Sequence, residues 1–121
     1  MANNTPQDSL DHIRQLMRDF SRDRDWEQFH DPKSLLLALV GEIGELAELF
    51  QWLPADQAKG LASKPELHQR VGEEIGDIVL YLVRLADVLD VNLGQATMSK
   101  FDSVVERFPT DSVKGQAPRK S

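Results

Sequence analysis

Residues 65–89 constrain the fold most. Val71, Ile75, Ile78, Leu82 and Leu89 recur at helical spacing, and Leu80 and Val83 widen the stripe past half the circumference. A helix apolar that far round is expected to be buried on more than one side. Yet Glu74 falls inside the arc, between Tyr81 and Leu85, and Asp77 lies at its edge. Residues 35–50 repeat the pattern. Leu35, Leu39, Ile43, Leu46 and Phe50 lie within about 100° of Glu42 on one side, and Leu49 stands about 20° to the other. Glu45 is about 60° further out, and Glu48 turns further toward water. An unpaired carboxylate in such surroundings costs many kcal/mol or stays protonated.

Glu42 and Glu45 are three residues apart, as are Glu74 and Asp77, so each pair shares a helix face. If the two helices lie side by side, four acidic groups converge on one point. That much negative charge calls for a hard divalent cation held by oxygen. A lone Glu-x-x-Glu is common on solvated helices and carries no weight by itself. Two copies, each set in an apolar arc, carry a good deal.

The rest of the chain reads as helix and punctuation. A first helix is expected over about residues 6–24, with Thr5 as N-cap, Pro6 in the first turn, and Leu10, Ile13, Leu16, Met17 and Phe20 at helical spacing. An irregular stretch over 25–31 holds Trp26, Phe29 and His30. Asp31 and Pro32 open a second helix that ends near Trp52, before Pro54. Residues 55–64 read as a loop with at most one helical turn. Pro65 opens the third helix, and Asn92 caps a fourth over about 93–108, stopped by Pro109. The third helix ends at Asp90-Val91-Asn92. No strand-like alternation occurs. The expected class is therefore all-α, a four-helix bundle forming one domain over residues 1–109, with a flexible polar tail over 110–121. Four helices cover the third one poorly, so a symmetric homo-oligomer is expected, with that helix near the subunit contact.

Composition narrows the function classes. The 121-residue chain has no cysteine, which rules out disulfides, thiolate metal sites and cysteine nucleophiles. A net charge of −6 argues against nucleic acid as the main partner. No apolar run approaches a membrane span, and the first residues do not read as a signal peptide, so a cytoplasmic location is expected.

LALVGEIGELAELFQW, followed by EEIGDIVLYLVRLAD, resembles the MazG-like all-α nucleoside triphosphate pyrophosphohydrolases, and within them the dCTP pyrophosphatase branch. The likeness spans about residues 10–109, and RDWEQFHDP and KFDSVVERFP extend it beyond the acidic motifs. It implies Mg2+-dependent cleavage of a nucleoside triphosphate to the monophosphate and pyrophosphate, a house-cleaning role in the nucleotide pool, and a tetramer built as a dimer of dimers. Glu42, Glu45, Glu74 and Asp77 match the motif as metal ligands and catalytic groups. Two departures touch substrate contacts: Val104 stands where members commonly carry asparagine, and Met17 where dCTP-specific relatives carry histidine.

The chemistry agrees with that resemblance. Mg2+ lets a cluster of acids accept an anionic polyphosphate and lowers the pKa of a bound water. One carboxylate, Glu45 or Glu42, is then placed to act as general base, with Glu74 and Asp77 mainly ligating. Trp26 and Trp52 offer flat faces for a base, and Trp52 points the same way as Glu45. Tyr81 is on the face of Glu74 and Asp77. His30, beside Trp26, is a candidate substrate contact. Lys100 and Arg107 share a face of the fourth helix and are candidates to meet phosphates. Arg84 is expected to pair with an acid rather than with substrate, and Glu73 and Glu48 to be solvated. A di-iron carboxylate bundle would need Glu-x-x-His pairs, which are missing. A non-enzymatic dimerisation or regulatory module would not explain acids inside apolar arcs. Other substrates remain open at this stage: dUTP, a damaged nucleotide, or phosphoribosyl-ATP.

Overall fold

A computed structural model describes residues 9–117. Six helices follow in order: α1 (Ser9–Asp23), α2 (Pro32–Phe50), α3 (Ala58–Ala62), α4 (Pro65–Val88), α5 (Leu93–Arg107) and α6 (Thr110–Val113). A single 3-10 turn, Glu27–Phe29, lies between α1 and α2. No strand occurs among the described residues, as the sequence pattern requires. The proposed cap at Thr5 and Pro6 lies outside them.

Local chemistry sets the boundaries. The Asp31 carboxylate accepts from the Ser34 backbone N–H at 2.9 Å, and Pro32 fills the first turn of α2. The Asn92 side chain accepts from Gln95 N–H at 3.0 Å and starts α5. Two helix ends reverse through left-handed aspartates: Asp25 (φ 55°) after α1 and Asp90 (φ 56°) after α4. In each case the next N–H reaches back five residues, Trp26 to Ser21 O at 2.9 Å and Val91 to Ala86 O at 2.8 Å. This is the closure that usually places glycine at the reversal; aspartate tolerates that conformation better than most side chains. After Pro109, where the sequence pattern left a tail without structure, α6 makes one short helix. Pro109 is extended and precedes it, and Val113 is half-buried.

α4 is the hub. It packs chiefly along α2 and then α1, and it also touches α3 and α5. Leu35 and Leu39 of α2 and Val83 and Ala86 of α4 are the apolar side chains fully buried among the described residues. Outside that small core the surface is unusually apolar. Leu37 is 60% exposed, Val40 56% and Phe101 55%, and Leu36, Ile43, Ile75, Leu82, Met98 and Val105 are exposed with them. The uncovered stripe therefore runs along α2 and α5 as well as α4. The sequence pattern had placed the poorly covered stripe on α4, where Ile75, Leu80 and Leu82 are exposed and Val83 is buried.

A buried ion pair ties α1 to α4. Asp87 accepts from Arg18 Nε at 3.0 Å and from Arg18 Nη2, and from Arg84 Nη1 at 3.3 Å; Arg14 lies 3.6 Å away. Burial pushes the Asp87 carboxyl up, but the Arg18 hydrogen bond and the charges of Arg18, Arg14 and Arg84 outweigh it and hold it below the ordinary range. Removing that charge leaves arginines facing each other. Asp87→Asn is expected to cost about 2 kcal/mol in urea unfolding, below the full cost of breaking a buried pair because Arg18 keeps part of its guanidinium in water. Because the carboxyl is depressed, its stabilisation is present above the ordinary carboxylate range and fades as pH falls toward its folded value. A melt of the variant that matches the parent would contradict this.

Candidate metal centre

Glu42 and Glu45 on α2 and Glu74 on α4 each offer a carboxylate oxygen, and the three oxygens lie within 4.8 Å of one another. The three-residue spacing puts Glu42 and Glu45 one turn apart, and the α2–α4 packing brings Glu74 across to them. Glu42 and Glu74 are half-buried, and Glu45 is exposed. Asp77 is exposed on α4 and stands outside this group of three, although its charge is felt at Glu42.

Two carboxylates of this group each have an unsatisfied oxygen. Glu42 Oε2 and Glu74 Oε2 are buried with no hydrogen-bond partner. With both groups ionised, neither finds a donor. A proton shared with Glu74 relieves the contact and, with burial and the charges of Glu45, Asp77 and Glu74, raises Glu42 to about 7. Buried acidic oxygens without donors cost free energy unless a cation or a proton meets them. All the donors are hard oxygens, which suits Mg2+. The residues present fit such an ion.

Tyr81 is half-buried on α4, one turn beyond Asp77. Trp52, just past α2, is 85% exposed, more than a core or packed tryptophan would be. Lys100 and Arg107 are exposed on α5, and Arg107 stacks over the Phe108 ring at 5.1 Å. Trp26 packs edge-on against Phe20, with 5.6 Å between centroids, and remains 45% exposed. His30 is half-buried and accepts from Arg84, so Arg84 does pair with an acid, Asp87, and with a histidine besides. Glu73 is exposed and accepts from Gln69, and Glu48 is exposed. Sequence reasoning missed Asp87, Arg14 and Arg18. The Arg84–Asp87 spacing of three was a usable local signal; the reach of Arg14 and Arg18 across from α1 had none.

The domain model for the MazG nucleotide pyrophosphohydrolase family matches residues 30–110. The chain belongs to that family. The match takes in all four acids of the two motifs. The chain is 46% identical over 113 residues to mouse dCTP pyrophosphatase 1, covering 93% of this chain and 66% of the relative. It is 48% identical over 109 residues to the bovine protein of the same name, covering 90% and 64%. The chain thus spans just under two thirds of the length of these relatives. Its fold is similar to that of a pyrophosphatase from Archaeoglobus fulgidus, with a TM-score of 0.77 and 28% identity over 89% of this chain and 99% of that one. No described helix is long and apolar enough to cross a membrane.

Proposed function

We propose that the chain is a Mg2+-dependent nucleoside triphosphate pyrophosphohydrolase that releases a monophosphate and pyrophosphate, with dCTP or a modified dCTP as substrate. The observation that carries this is the convergence of Glu42, Glu45 and Glu74 around buried oxygens that lack donors. The dCTP pyrophosphatase relatives support the choice of substrate. The departures at Met17 and Val104 touch substrate contacts rather than the acids, so they bear on cytosine preference and not on the hydrolysis.

Glu42 and Glu74 would hold the metal through their inward oxygens, with Glu45 beside them and Asp77 completing the set from the open side. A bound Mg2+ supplies charge neutralisation for the phosphates and a water of lowered pKa. Glu45 is the exposed member of the three and is the group that water reaches. We assign it the general base, taking the proton from the attacking water. Trp26 and Trp52 would stack on the base. Tyr81 and His30 would meet the nucleoside, and Lys100 and Arg107 the phosphates. Mg2+ also reconciles an anionic substrate with a protein of net charge −6.

The exposed apolar stripe supports a homo-oligomer, read as a dimer of dimers, in which a second copy covers the apolar surface of α2, α4 and α5. Leu37→Glu is expected to lower the assembly state, because burying a leucine is worth about 2 kcal/mol and burying an unpaired carboxylate costs more. Light scattering measures it, and an unchanged mass would rule out α2 as the contact. A cytoplasmic site of action fits the reaction. The activity itself is tested by incubating the protein with Mg2+ and a panel including dCTP, 5-methyl-dCTP, dUTP, the other deoxynucleotides and phosphoribosyl-ATP, and measuring pyrophosphate. Release from none of them defeats the proposal.

A further inference from the structure

Arg84 and Asp87 lie one turn apart near the end of α4, both buried and both outside the carboxylate centre. Asp87 anchors the Arg84 guanidinium through Nη1 at 3.3 Å and is itself held by Arg18 from α1. The Nε–H of Arg84 is left to donate to His30 Nδ1 at 3.0 Å. A guanidinium has five donors, no acceptor and no proton to lose near neutral pH, so the direction of that bond is fixed. Nδ1 must be the bare nitrogen, and neutral His30 carries its proton on Nε2. No acceptor meets that Nε2–H among the described residues. His30 Nε2 is not among the buried unpartnered atoms, so this donor is open to water and to whatever enters beside it.

Its placement indicates what binds. Asp77, Tyr81 and Arg84 follow one stripe of α4, and Arg84 lies about 10 Å along the axis from Asp77 at 1.5 Å per residue. The acidic centre and His30 therefore occupy the two ends of one helix face. Trp26 and His30 flank the same 3-10 turn, Glu27–Phe29. Two backbone hydrogen bonds close that turn: Phe29 N–H reaches Trp26 O at 2.9 Å and His30 N–H reaches Glu27 O at 3.1 Å.

We infer that Arg84, braced by Asp87, is a positioning residue that locks His30 as its Nε2–H tautomer and so presents a hydrogen-bond donor to an oxygen acceptor on the nucleoside end of the substrate. The inference rests on the nucleotide reading above. The charged groups felt at His30 are Arg84 from α4 and Glu27 within its own turn; Arg84 is in turn held by Asp87, which Arg14 and Arg18 of α1 also meet. Burial and the Arg84 cation hold His30 below its ordinary value against the pull of Glu27. Protonating Nδ1 would break the Arg84 bond and set two cations together, so the lock opens only on the acid side.

Nitrogen NMR of the histidine rings in the whole protein tests the lock, with His30 assigned by its loss in His30→Phe. One ring is expected to show an unprotonated Nδ1 and a protonated Nε2 at pH 7, and to titrate below the ordinary histidine value. Arg84→Met is expected to return it to mixed tautomers and to raise its titration from the parent's, with the lowering by burial remaining. A protonated Nδ1 in the parent, or a tautomer unmoved in Arg84→Met, would overturn the lock. If Arg84→Met fails to fold, the parent spectrum together with Arg84→Lys decides. The ligand half is read from the Nε2 shift on adding Mg2+ with a non-hydrolysable dCTP analogue. It is read again from KM, expected to rise about fivefold in His30→Phe with kcat little changed, the loss of one hydrogen bond. His30→Gln, which keeps both an acceptor and a donor, is expected to restore it. An Nε2 shift and a KM that both stay put would overturn that half. A parent that binds no nucleotide defeats the enzymatic reading instead and leaves the tautomer result standing.

Discussion

Glu45→Gln is expected to lower pyrophosphate release about 10³-fold, the range for losing a positioned general base. The amide keeps the shape of the side chain but can neither take the water's proton nor offer a charged oxygen to the metal. Glu45 is exposed and makes none of the buried contacts that hold α2 to α4, so the fold is expected to survive. A melt within a few degrees of the parent, with hydrolysis gone, is the anticipated pair of results. Activity within twofold of the parent would remove Glu45 from the mechanism. The same assay after chelation of Mg2+ is expected to show equal loss, reversed by adding the ion back. The two losses are not additive, because both act on one step.

Glu42→Gln is expected to change sign with conditions. Glu42 sits near 7 in the metal-free fold and in the ordinary carboxylate range when unfolded, so the fold holds a proton that the unfolded chain has shed. Stability from this group is full below that ordinary range and is lost as pH rises through about 7. The metal-free parent is thus expected to melt lower at pH 8 than at pH 6, and Mg2+ to reverse the fall by replacing the proton. Metal binding releases that proton, so affinity is expected to climb by up to about tenfold per pH unit below 7 and then level off. In Glu42→Gln the amide can donate to Glu74 at any pH. The metal-free variant should then lose the fall between pH 6 and pH 8, while Mg2+ no longer raises its melting temperature. A variant that keeps both the pH fall and the response to Mg2+ would show that this acid is not where proton and metal compete.

Most of the helical architecture was legible in the chain, because its signals are local. Asp31-Pro32, Pro65 and Asn92 mark starts through groups within three residues, and the structure begins helices at Pro32, Pro65 and Leu93. The short α3 agrees with the single turn allowed between residues 55 and 64. The Glu-x-x-Glu spacing fixes Glu42 and Glu45 on one face whatever α2 packs against. The apolar stripe of α4 foretold its central place, since every other long helix needs a surface to bury.

The sequence by itself settled where the long helices lie and which acids share a face, because both depend on neighbours a few bonds away. Only the tertiary structure decided that Glu74 reaches Glu42 and Glu45 while Asp77 stays outside, and that Asp87 gathers arginines from two helices and turns Arg84 toward His30. Those meetings depend on the rotation and stagger of one helix against another. Packing of whole side-chain surfaces sets that relation, and no spacing along a single helix contains it.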